Sequence, residues 1–398
     1  MARYLLLSLV TLLLTGCGSM NPINWLASDE PSDPPAELTE LQNQIAIRQL
    51  WNSSLGSGTD QKRIKLVPSL DLGRLYIAAR KGEVAALDAD TGKKIWELDT
   101  ELEISGGPGV GEGLVLIGTS DAELVALDAE SGAERWRARV SSEILSVPKV
   151  AAGVAVVHTV DGKLFGFDAL DGTQLWIYDR SVPVLTLHGS SSPVISGDLV
   201  ICGFASGKLV GVDLASGGVR WETNLSVPSG RSELERLVDI DGDPLAVGNA
   251  IFVTSYQGDM AAVARENGQV YWRKKLSSFV GPGADWRALY VADAEGQVWS
   301  IQPNSGAALW KNDKLLNRWL SPPVVLGDYV VVGDFEGYVH WLSTSDGRLV
   351  GRVRVGDDPI SSAPVVYNDR LYIYSDGGTL AAMTLLDNTP AGSSGSGN

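Results

Sequence analysis

VAALDADTGKKIW, residues 84–96, contains the local signals that decide the fold of this chain. Its first four residues are all apolar, which predicts a strand that is covered on both faces of its sheet. In the turn that follows, Asp88 can hydrogen-bond the backbone ahead of it and Gly92 can adopt a positive φ. We expect the next strand to end on Trp96, whose large ring can pack between neighbouring sheets.

The same signals return along most of the chain at constant internal spacing. A proline stands 16 residues before each apolar strand start, at Pro68, Pro108, Pro148, Pro193, Pro244, Pro282, Pro323 and Pro364. Eight residues after that start come the glycines Gly92, Gly132, Gly172, Gly217, Gly268, Gly306 and Gly347. Four residues further stand Trp96, Trp136, Trp176, Trp221, Trp272 and Trp310, with Gly351 in the seventh repeat. A period near 40 residues indicates a repeat architecture.

Each repeat predicts four short strands, because two further apolar strands with Gly-bearing turns precede the stretch quoted above. Four-stranded sheets that are buried on both faces and repeated radially form a β-propeller. The eighth repeat lacks its fourth strand, and residues 45–51 (IAIRQLW) at the other end of the chain can supply it, with Trp51 in the empty slot.

We therefore predict an all-β fold over residues 45–386: an eight-bladed β-propeller of four-stranded antiparallel blades. The N-terminal strand closes the ring, which leaves no sheet edge open at either end of the repeat array. An open β-solenoid and two separate sandwiches are the alternatives.

Residues 1–16 predict a secretory signal. Arg3 supplies a positive charge, and the apolar run that follows is too short to span a bilayer, which takes about 20 helical residues. The run ends in LTGC, which resembles the lipobox of bacterial lipoproteins and implies that Cys17 is acylated. An ordinary cleavage site with an incidental cysteine is the alternative. We expect residues 17–44 to form a flexible tether and residues 387–398 to be disordered.

Composition excludes several classes of function. The chain carries 48 Asp and Glu against 32 Lys and Arg, and a net charge of −16 disfavours a nucleic-acid partner. Two cysteines and three histidines leave few ligands for a metal site. Nucleophile-elbow, phosphate-loop and zinc-protease motifs do not occur in the sequence. DIDGD, residues 239–243, begins like a calcium loop, but Pro244 stands where such loops have glycine. We expect no cofactor, no metal and no catalytic residue.

The repeats contain one cysteine and two histidines for which the sequence predicts a local environment. Cys202 is predicted to be a small buried hydrophobe. His340 occupies a slot that is apolar in the other seven repeats, so we expect it to be packed. His158 ends a second strand and is expected to face water.

Two insertions indicate a functional face. Most gaps from a tryptophan, or its slot, to the next proline are 10 to 13 residues, but 17 residues separate Trp176 from Pro193 and 23 separate Trp221 from Pro244. Both insertions join the outermost strand of one blade to the innermost strand of the next. They therefore emerge on one face, from neighbouring connections.

The composition of the insertions favours a protein interface. The first carries Leu185 and Leu187 in a loop, and exposed apolar residues with polar neighbours are typical of interaction sites. Folding of these leucines into the mouth of the propeller is the alternative. The second insertion carries charged residues, including Asp239 and Asp241. A third long gap, from residue 51 to residue 68, is assigned no role.

The motifs also carry a resemblance to a known family. The repeat Asp-Ala-x-Ser/Thr-Gly-x-x-x-Trp resembles the tryptophan-docking repeat of eight-bladed quinoprotein-like propellers. With a lipobox before it, the chain resembles the BamB family, lipoprotein subunits of the outer-membrane β-barrel assembly machinery. LTLHG, residues 185–189, resembles the family's Leu-x-Leu-Arg-Gly loop, and residues 239–241 match its Asp-x-Asp loop. The resemblance implies that a periplasmic polypeptide-transport-associated (POTRA) domain of BamA, the barrel subunit, is contacted by Leu185, Leu187, His188, Asp239 and Asp241.

The resemblance implies a non-catalytic scaffold that assists the folding and insertion of outer-membrane proteins, whose unfolded chains are further partners. Gly18 after Cys17 favours the periplasmic face of the outer membrane, with the lipid anchor as the only membrane attachment. His188 replaces the family's arginine with a cation that titrates near pH 6.5. The alternative is a dehydrogenase that uses pyrroloquinoline quinone, or another periplasmic ligand-binding propeller. Such dehydrogenases typically have adjacent cysteines, and this chain has none.

Overall fold

The structure is a computed structural model that describes residues 34–179, 191–225 and 238–386. The chain divides into two compact units, residues 1–35 and 36–398, and every strand described here belongs to the second. The described residues form 33 strands and contain no helix, so none of them lies in a helix that could cross a membrane.

Two strands precede the first complete blade: β1 (Ile47–Ser54) and β2 (Lys65–Leu66). Blade 1 consists of β3 (Ser69–Asp71), β4 (Arg74–Ala78), β5 (Glu83–Asp88) and β6 (Lys94–Asp99). Blade 2 consists of β7 (Ile104–Gly111), β8 (Leu114–Thr119), β9 (Glu123–Asp128) and β10 (Glu134–Arg139). Blade 3 consists of β11 (Lys149–Ala151), β12 (Val154–His158), β13 (Lys163–Asp168) and β14 (Gln174–Asp179). Blade 4 consists of β15 (Val194–Ser196), β16 (Leu199–Gly203), β17 (Lys208–Asp213) and β18 (Val219–Asn224).

The second half repeats the arrangement. Blade 5 consists of β19 (Leu245–Val247), β20 (Ala250–Val253), β21 (Asp259–Ala264) and β22 (Val270–Lys275). Blade 6 consists of β23 (Gly283–Ala284), β24 (Leu289–Ala292), β25 (Val298–Ile301) and β26 (Ala308–Asn312). Blade 7 consists of β27 (Val324–Leu326), β28 (Tyr329–Gly333), β29 (Tyr338–Ser343) and β30 (Leu349–Arg354). Blade 8 contains β31 (Val365–Tyr367), β32 (Arg370–Tyr374) and β33 (Thr379–Leu385).

The strands of blades 1 to 7 form antiparallel meanders in which the sheet order follows the chain order, and β2 adds a short parallel strand to the inner edge of blade 2. First strands of successive blades contact one another around most of the ring, so they line its centre and the fourth strands lie outermost. The third strands are buried along most of their length, and the side chains of Val84, Ala85, Ala86 and Leu87 are all fully buried. The predicted eight-bladed β-propeller is confirmed.

Strand β1 closes the ring, as predicted. It pairs antiparallel with β33, with Trp51 opposite Ala382, and completes a sheet of order β1-β33-β32-β31. The Trp51 ring packs on Gly92 of blade 1, where a Cβ atom would lie 2.5 Å from the indole. In blade 7, where Gly351 replaces the tryptophan, the side chain of Ile45 fills the space.

Residues 36–44, part of the segment expected to be a tether, lie along blade 7. The backbone N–H of Ala36 donates to the carbonyl of Leu316 at 2.9 Å. Asn43 and Arg352 exchange two hydrogen bonds, of 2.8 and 3.1 Å, between the asparagine amide and the arginine backbone. The folded part of the chain therefore extends in the N-terminal direction beyond β1.

The tryptophans join neighbouring blades. Six of them donate the indole N–H to a carbonyl in the next blade at 2.7 to 3.0 Å: Trp96 to Ala129, Trp136 to Ala169, Trp176 to Leu214, Trp221 to Arg265, Trp272 to Pro303 and Trp310 to Thr344. The acceptor lies in the turn whose glycine has a positive φ, +74° at Gly172 for example. A Cβ atom at Gly172 would lie 2.6 Å from the Trp136 ring, so glycine is needed for space as well as for conformation.

The expectation that the fourth strand ends on tryptophan is wrong. Trp96 is the third of six residues in β6, and Asp99 at its end still pairs with Glu83. The strand continues because the preceding third strand offers backbone partners along its full length. The tryptophan is therefore held in the middle of a strand, where neighbours on both sides fix its ring.

Candidate functional site

The connections between blades and the turns between second and third strands lie at the same end of the sheets, because successive strands are antiparallel. We call this side the connection face. The described ends of both insertions belong to it, since one insertion joins β14 to β15 and the other joins β18 to β19. The turns between first and second strands, and between third and fourth strands, form the opposite face.

The predicted site residues fall into two groups. Leu185, Leu187 and His188 lie in residues 180–190, outside the described residues, as does Cys17. Asp239 and Asp241 are described, at the end of the second insertion.

The two aspartates are more buried than a loop motif suggests. Asp239 is only 1% exposed, and its carbonyl accepts the backbone N–H of Tyr256 at 2.8 Å. Asp241 is half-buried. Burial, and then the neighbouring carboxylate of Asp239, raises the pKa of Asp241 to about 7. An Asp-x-Asp pattern alone gives no signal for this burial, because it depends on which loops pack around it.

The three long connections meet at Asp243, a residue that sequence reasoning did not select. Lys65 donates from Nζ to Asp243 Oδ1 at 2.8 Å and to the carbonyl of Asp241 at 3.4 Å. The backbone N–H of Ser192, at the end of the first insertion, donates to the same Asp243 oxygen at 2.6 Å. We call this arrangement the Asp243 junction. It ties the described ends of both insertions to each other and to Lys65.

Lys65 belongs to residues 55–67, which cross the centre of the ring and which we call the central strap. The strap contacts blade 8 through Thr59, the connection between blades 6 and 7 through Arg63, the Asp243 junction through Lys65, and blade 2 through the pairing of β2 with β7. A segment that touches blades on all sides must pass over the centre. The long gap after Trp51 was the sequence signal for this strap.

His158 is buried, so the expectation that it faces water is wrong. It is 4% exposed, because the connection at Ser191 covers it and the Phe204 ring packs at 4.9 Å. Burial lowers its pKa to about 4, despite the hydrogen bond to the carbonyl of Ser191. Cys202 is confirmed as a buried thiol, with Sγ 3.4 Å from His158 Nδ1, and burial raises its pKa.

His340 is packed, as predicted, within a buried charge cluster. Asp334 Oδ2 accepts hydrogen bonds from Arg318 Nε and His340 Nε2, both at 2.8 Å. Arg352 Nε donates to His340 Nδ1 at 3.3 Å, so the proton of a neutral imidazole lies on Nε2. Burial alone would raise the pKa of Asp334, but the His340 hydrogen bond, with help from Arg318, holds it below the ordinary value.

No group of three or more His, Cys, Asp or Glu side chains is arranged to hold a metal ion in the part of the chain that the structure describes. Asp243, third of the calcium-loop-like aspartates, is engaged by Lys65. The candidate site is therefore a surface formed by the connections between blades, and Lys65 of the central strap supports it from the centre of the ring.

Solved structures define the class of protein. The chain resembles quinohemoprotein alcohol dehydrogenase from Comamonas testosteroni with a TM-score of 0.65 and 15% identity, covering 87% of this chain and 78% of that chain. Identity this low shows the fold alone. The chain is thus an eight-bladed propeller of the kind that quinoproteins also use.

Closer relatives define the family. A family profile described as outer membrane protein assembly factor BamB matches residues 48–101, 80–312 and 300–390. BamB of Pseudomonas aeruginosa is 51% identical over 352 residues, which are 88% of this chain and 93% of that protein. BamB of Alkalilimnicola ehrlichii is 48% identical over 385 residues, 97% of each chain. The structure of BamB from Moraxella catarrhalis has a TM-score of 0.79 at 28% identity and covers 85% of this chain and 99% of that one. The chain belongs to the BamB family of outer membrane protein assembly factors.

Proposed function

We propose that the chain is a non-catalytic scaffold in outer-membrane protein assembly, which binds a periplasmic POTRA domain of BamA through its connection face. The relatives above carry the name of assembly factors. The observation that carries the proposal is the Asp243 junction, because it holds the ends of both insertions together on one face. The scaffold assists folding and insertion of outer-membrane proteins, and unfolded forms of these proteins are further partners.

The same proposal places the chain on the periplasmic face of the outer membrane. Acylated Cys17 supplies the anchor, which is the only attachment of the chain to the membrane. Three acyl chains on a mature bacterial lipoprotein hold far more firmly than a single chain, which gives only marginal attachment.

The proposed contact residues have different tasks. Leu185 and Leu187 provide apolar contact, and His188 and Asp241 provide charge. Asp239 is only 1% exposed, and its backbone carbonyl holds the end of the second insertion against Tyr256. Lys65 and Asp243 position the described ends of the insertions.

The contact assignment predicts a loss of affinity in point variants. The chain from residue 18 onward should bind the purified periplasmic part of BamA, and Leu187→Ala or Asp241→Lys should weaken binding about tenfold or more, as at interface hot spots. Isothermal titration gives the affinity, and thermal unfolding by circular dichroism shows that the propeller is intact. Leu170→Ala is the matched control, because Leu170 is 87% exposed on the opposite face. Unchanged affinity in both site variants would remove the assignment while leaving the fold.

The charges at the site predict a pH dependence with two opposing parts. Between about pH 8 and pH 6 His188 gains a proton, given its ordinary pKa near 6.5, and Asp241 loses its charge, given a pKa of about 7. If His188 acts as the cation, acidification tightens binding through His188, and loss of the Asp241 charge weakens it. The variant Asp241→Asn should therefore bind more tightly at about pH 6 than at about pH 8, and His188→Gln should show the reverse. Parallel pH profiles in the two variants, measured by titration calorimetry, would contradict these roles.

A further inference from the structure

Exposed apolar side chains are distributed unevenly between the two faces. In the part of the chain that the structure describes, the large exposed ones on the connection face are Phe279, at 46%, and Trp319, at 69%. The others lie on outermost strands or at the end of the blades that forms the opposite face, as Trp286 does at 84%. Phe279 and Trp319 occupy neighbouring connections, from blade 5 to blade 6 and from blade 6 to blade 7.

The exposed side chain of Trp319 is attached to a strained backbone. Its φ is +48°, a left-handed conformation that is an outlier for a bulky residue. The residues on either side, Arg318 and Leu320, are buried, and Arg318 is fixed by Asp334. The buried neighbours therefore hold the backbone of Trp319 in a strained conformation in which its side chain is exposed to water. Strain of this kind is concentrated at functional sites.

The central strap links Trp319 to the proposed docking site. The guanidinium of Arg63 lies 5.1 Å from the centre of the Trp319 ring, within cation–π distance. Two residues further along the strap, Lys65 holds the Asp243 junction. One short segment thus spans the distance from the exposed tryptophan to the ends of both insertions.

Phe279 adjoins the docking site from the other side. Its ring stacks on Tyr256 with centroids 4.3 Å apart and planes 20° from parallel. The backbone N–H of Tyr256 donates to the carbonyl of Asp239. Ser278, next to Phe279, is anchored by hydrogen bonds between its N–H and Ser255 and between its hydroxyl and Ala292. The stacked pair is therefore fixed in place beside Asp239.

From this placement we infer that the docking surface for BamA extends beyond the two insertions, across Tyr256 and Phe279 and over the central strap to Arg63 and Trp319. The inference rests on the proposed function and names its energetic anchors. Tryptophan, tyrosine and arginine are the residue types that most often dominate binding energy at protein interfaces. The occupant is the same periplasmic BamA domain, because Lys65 and Tyr256 connect both aromatic groups to Asp243 and Asp239, at the described end of the second insertion.

The test uses two arginine-stacked tryptophans on opposite faces. Trp286, with Arg287 at 4.6 Å, matches the Trp319–Arg63 pair in chemistry and is even more exposed. The chain from residue 18 onward is titrated with the purified periplasmic part of BamA as wild type and as Trp319→Gly, Phe279→Ala and Trp286→Ala. We expect Trp319→Gly and Phe279→Ala to lower affinity by about tenfold or more, and Trp286→Ala to change it less than about twofold.

Thermal unfolding separates contact from folding. Glycine tolerates a positive φ, so Trp319→Gly should keep or raise the melting temperature while it lowers affinity. A purely structural role for Trp319 would lower both. Wild-type affinity in Trp319→Gly and Phe279→Ala, with Asp241→Lys still weakened, overturns this inference alone. An equal loss in Trp286→Ala also overturns it. A wild-type chain that does not bind overturns the proposed function and this extension together.

Discussion

A chain that begins at residue 55, without strand β1, is expected to lose its cooperative unfolding transition. Removal of β1 exposes the full edge of β33 and the groove that Trp51, Leu50 and Ile47 cover. Open edges of this length invite pairing between chains. Three partly buried apolar side chains and the backbone hydrogen bonds of the β1–β33 pairing are lost together, and we expect this loss to be comparable with the roughly 5–15 kcal/mol by which a typical domain is stable. Calorimetry and size-exclusion chromatography are the measurements.

Two comparisons make this prediction specific. A chain that begins at residue 45 keeps β1 and should unfold cooperatively. In the full chain, Trp51→Ala should cost about 3 kcal/mol, since a large ring that packs on Gly92 is lost and a cavity remains. Addition of a peptide of residues 45–54 to the shortened chain should restore the transition. A chain from residue 55 that melts like wild type would show that the ring does not depend on this strand.

The substitution Asp334→Asn should lower the free energy of unfolding by about 3–5 kcal/mol, the usual effect of removing one partner from a buried ion pair. The Asp334 side chain is fully buried and accepts hydrogen bonds from Arg318 and His340. An amide in its place removes the buried negative charge between Arg318 and His340, and Arg318 keeps its ion pair with Glu336 at the edge of the cluster. Urea unfolding at neutral pH is the measurement.

The control and the pH profile follow from the same geometry. Asp328→Asn removes a carboxylate that is 75% exposed and paired with Arg287, and a surface pair contributes about 0–1 kcal/mol. Because the folded pKa of Asp334 is depressed, its stabilisation is present above the ordinary value near 3.8 and is lost as pH falls through the folded pKa. The contribution of the Asp334 carboxylate to the difference between wild type and Asp334→Asn should shrink below about pH 4. If Asp334→Asn and Asp328→Asn lowered the free energy of unfolding equally, the proposed contribution of the buried Asp334 pair to stability would be wrong.

The fold could be predicted from the sequence because its signals are local and repeated. Most of these turns carry a hydrogen-bonding side chain such as Asp88 and a glycine such as Gly92, and in six repeats a tryptophan follows the glycine four residues later. The closing strand was predictable because one slot in the array was empty and Trp51 matched it. Because the same spacing recurs in several repeats, each repeat supports the strand and turn assignment made for the others.

The site was less predictable because its contacts join residues that are distant in sequence. Nothing local to Lys65 indicates that it reaches Asp243, 178 positions away. Nothing local to His158 indicates that the connection at Ser191 covers it. Such contacts depend on how long connections cross the ring, and spacing within a repeat contains no information about that path.

The attachment of residues 36–44 to blade 7 has a mechanical consequence. Any pull on the N-terminus reaches the links of Ala36 to Leu316 and of Asn43 to Arg352 before it reaches β1. These hydrogen bonds carry a force applied at the N-terminus and transfer it to the connection before blade 7 and to β30. The closing strand β1 is therefore loaded only after the hydrogen bonds of Ala36 and Asn43 have broken.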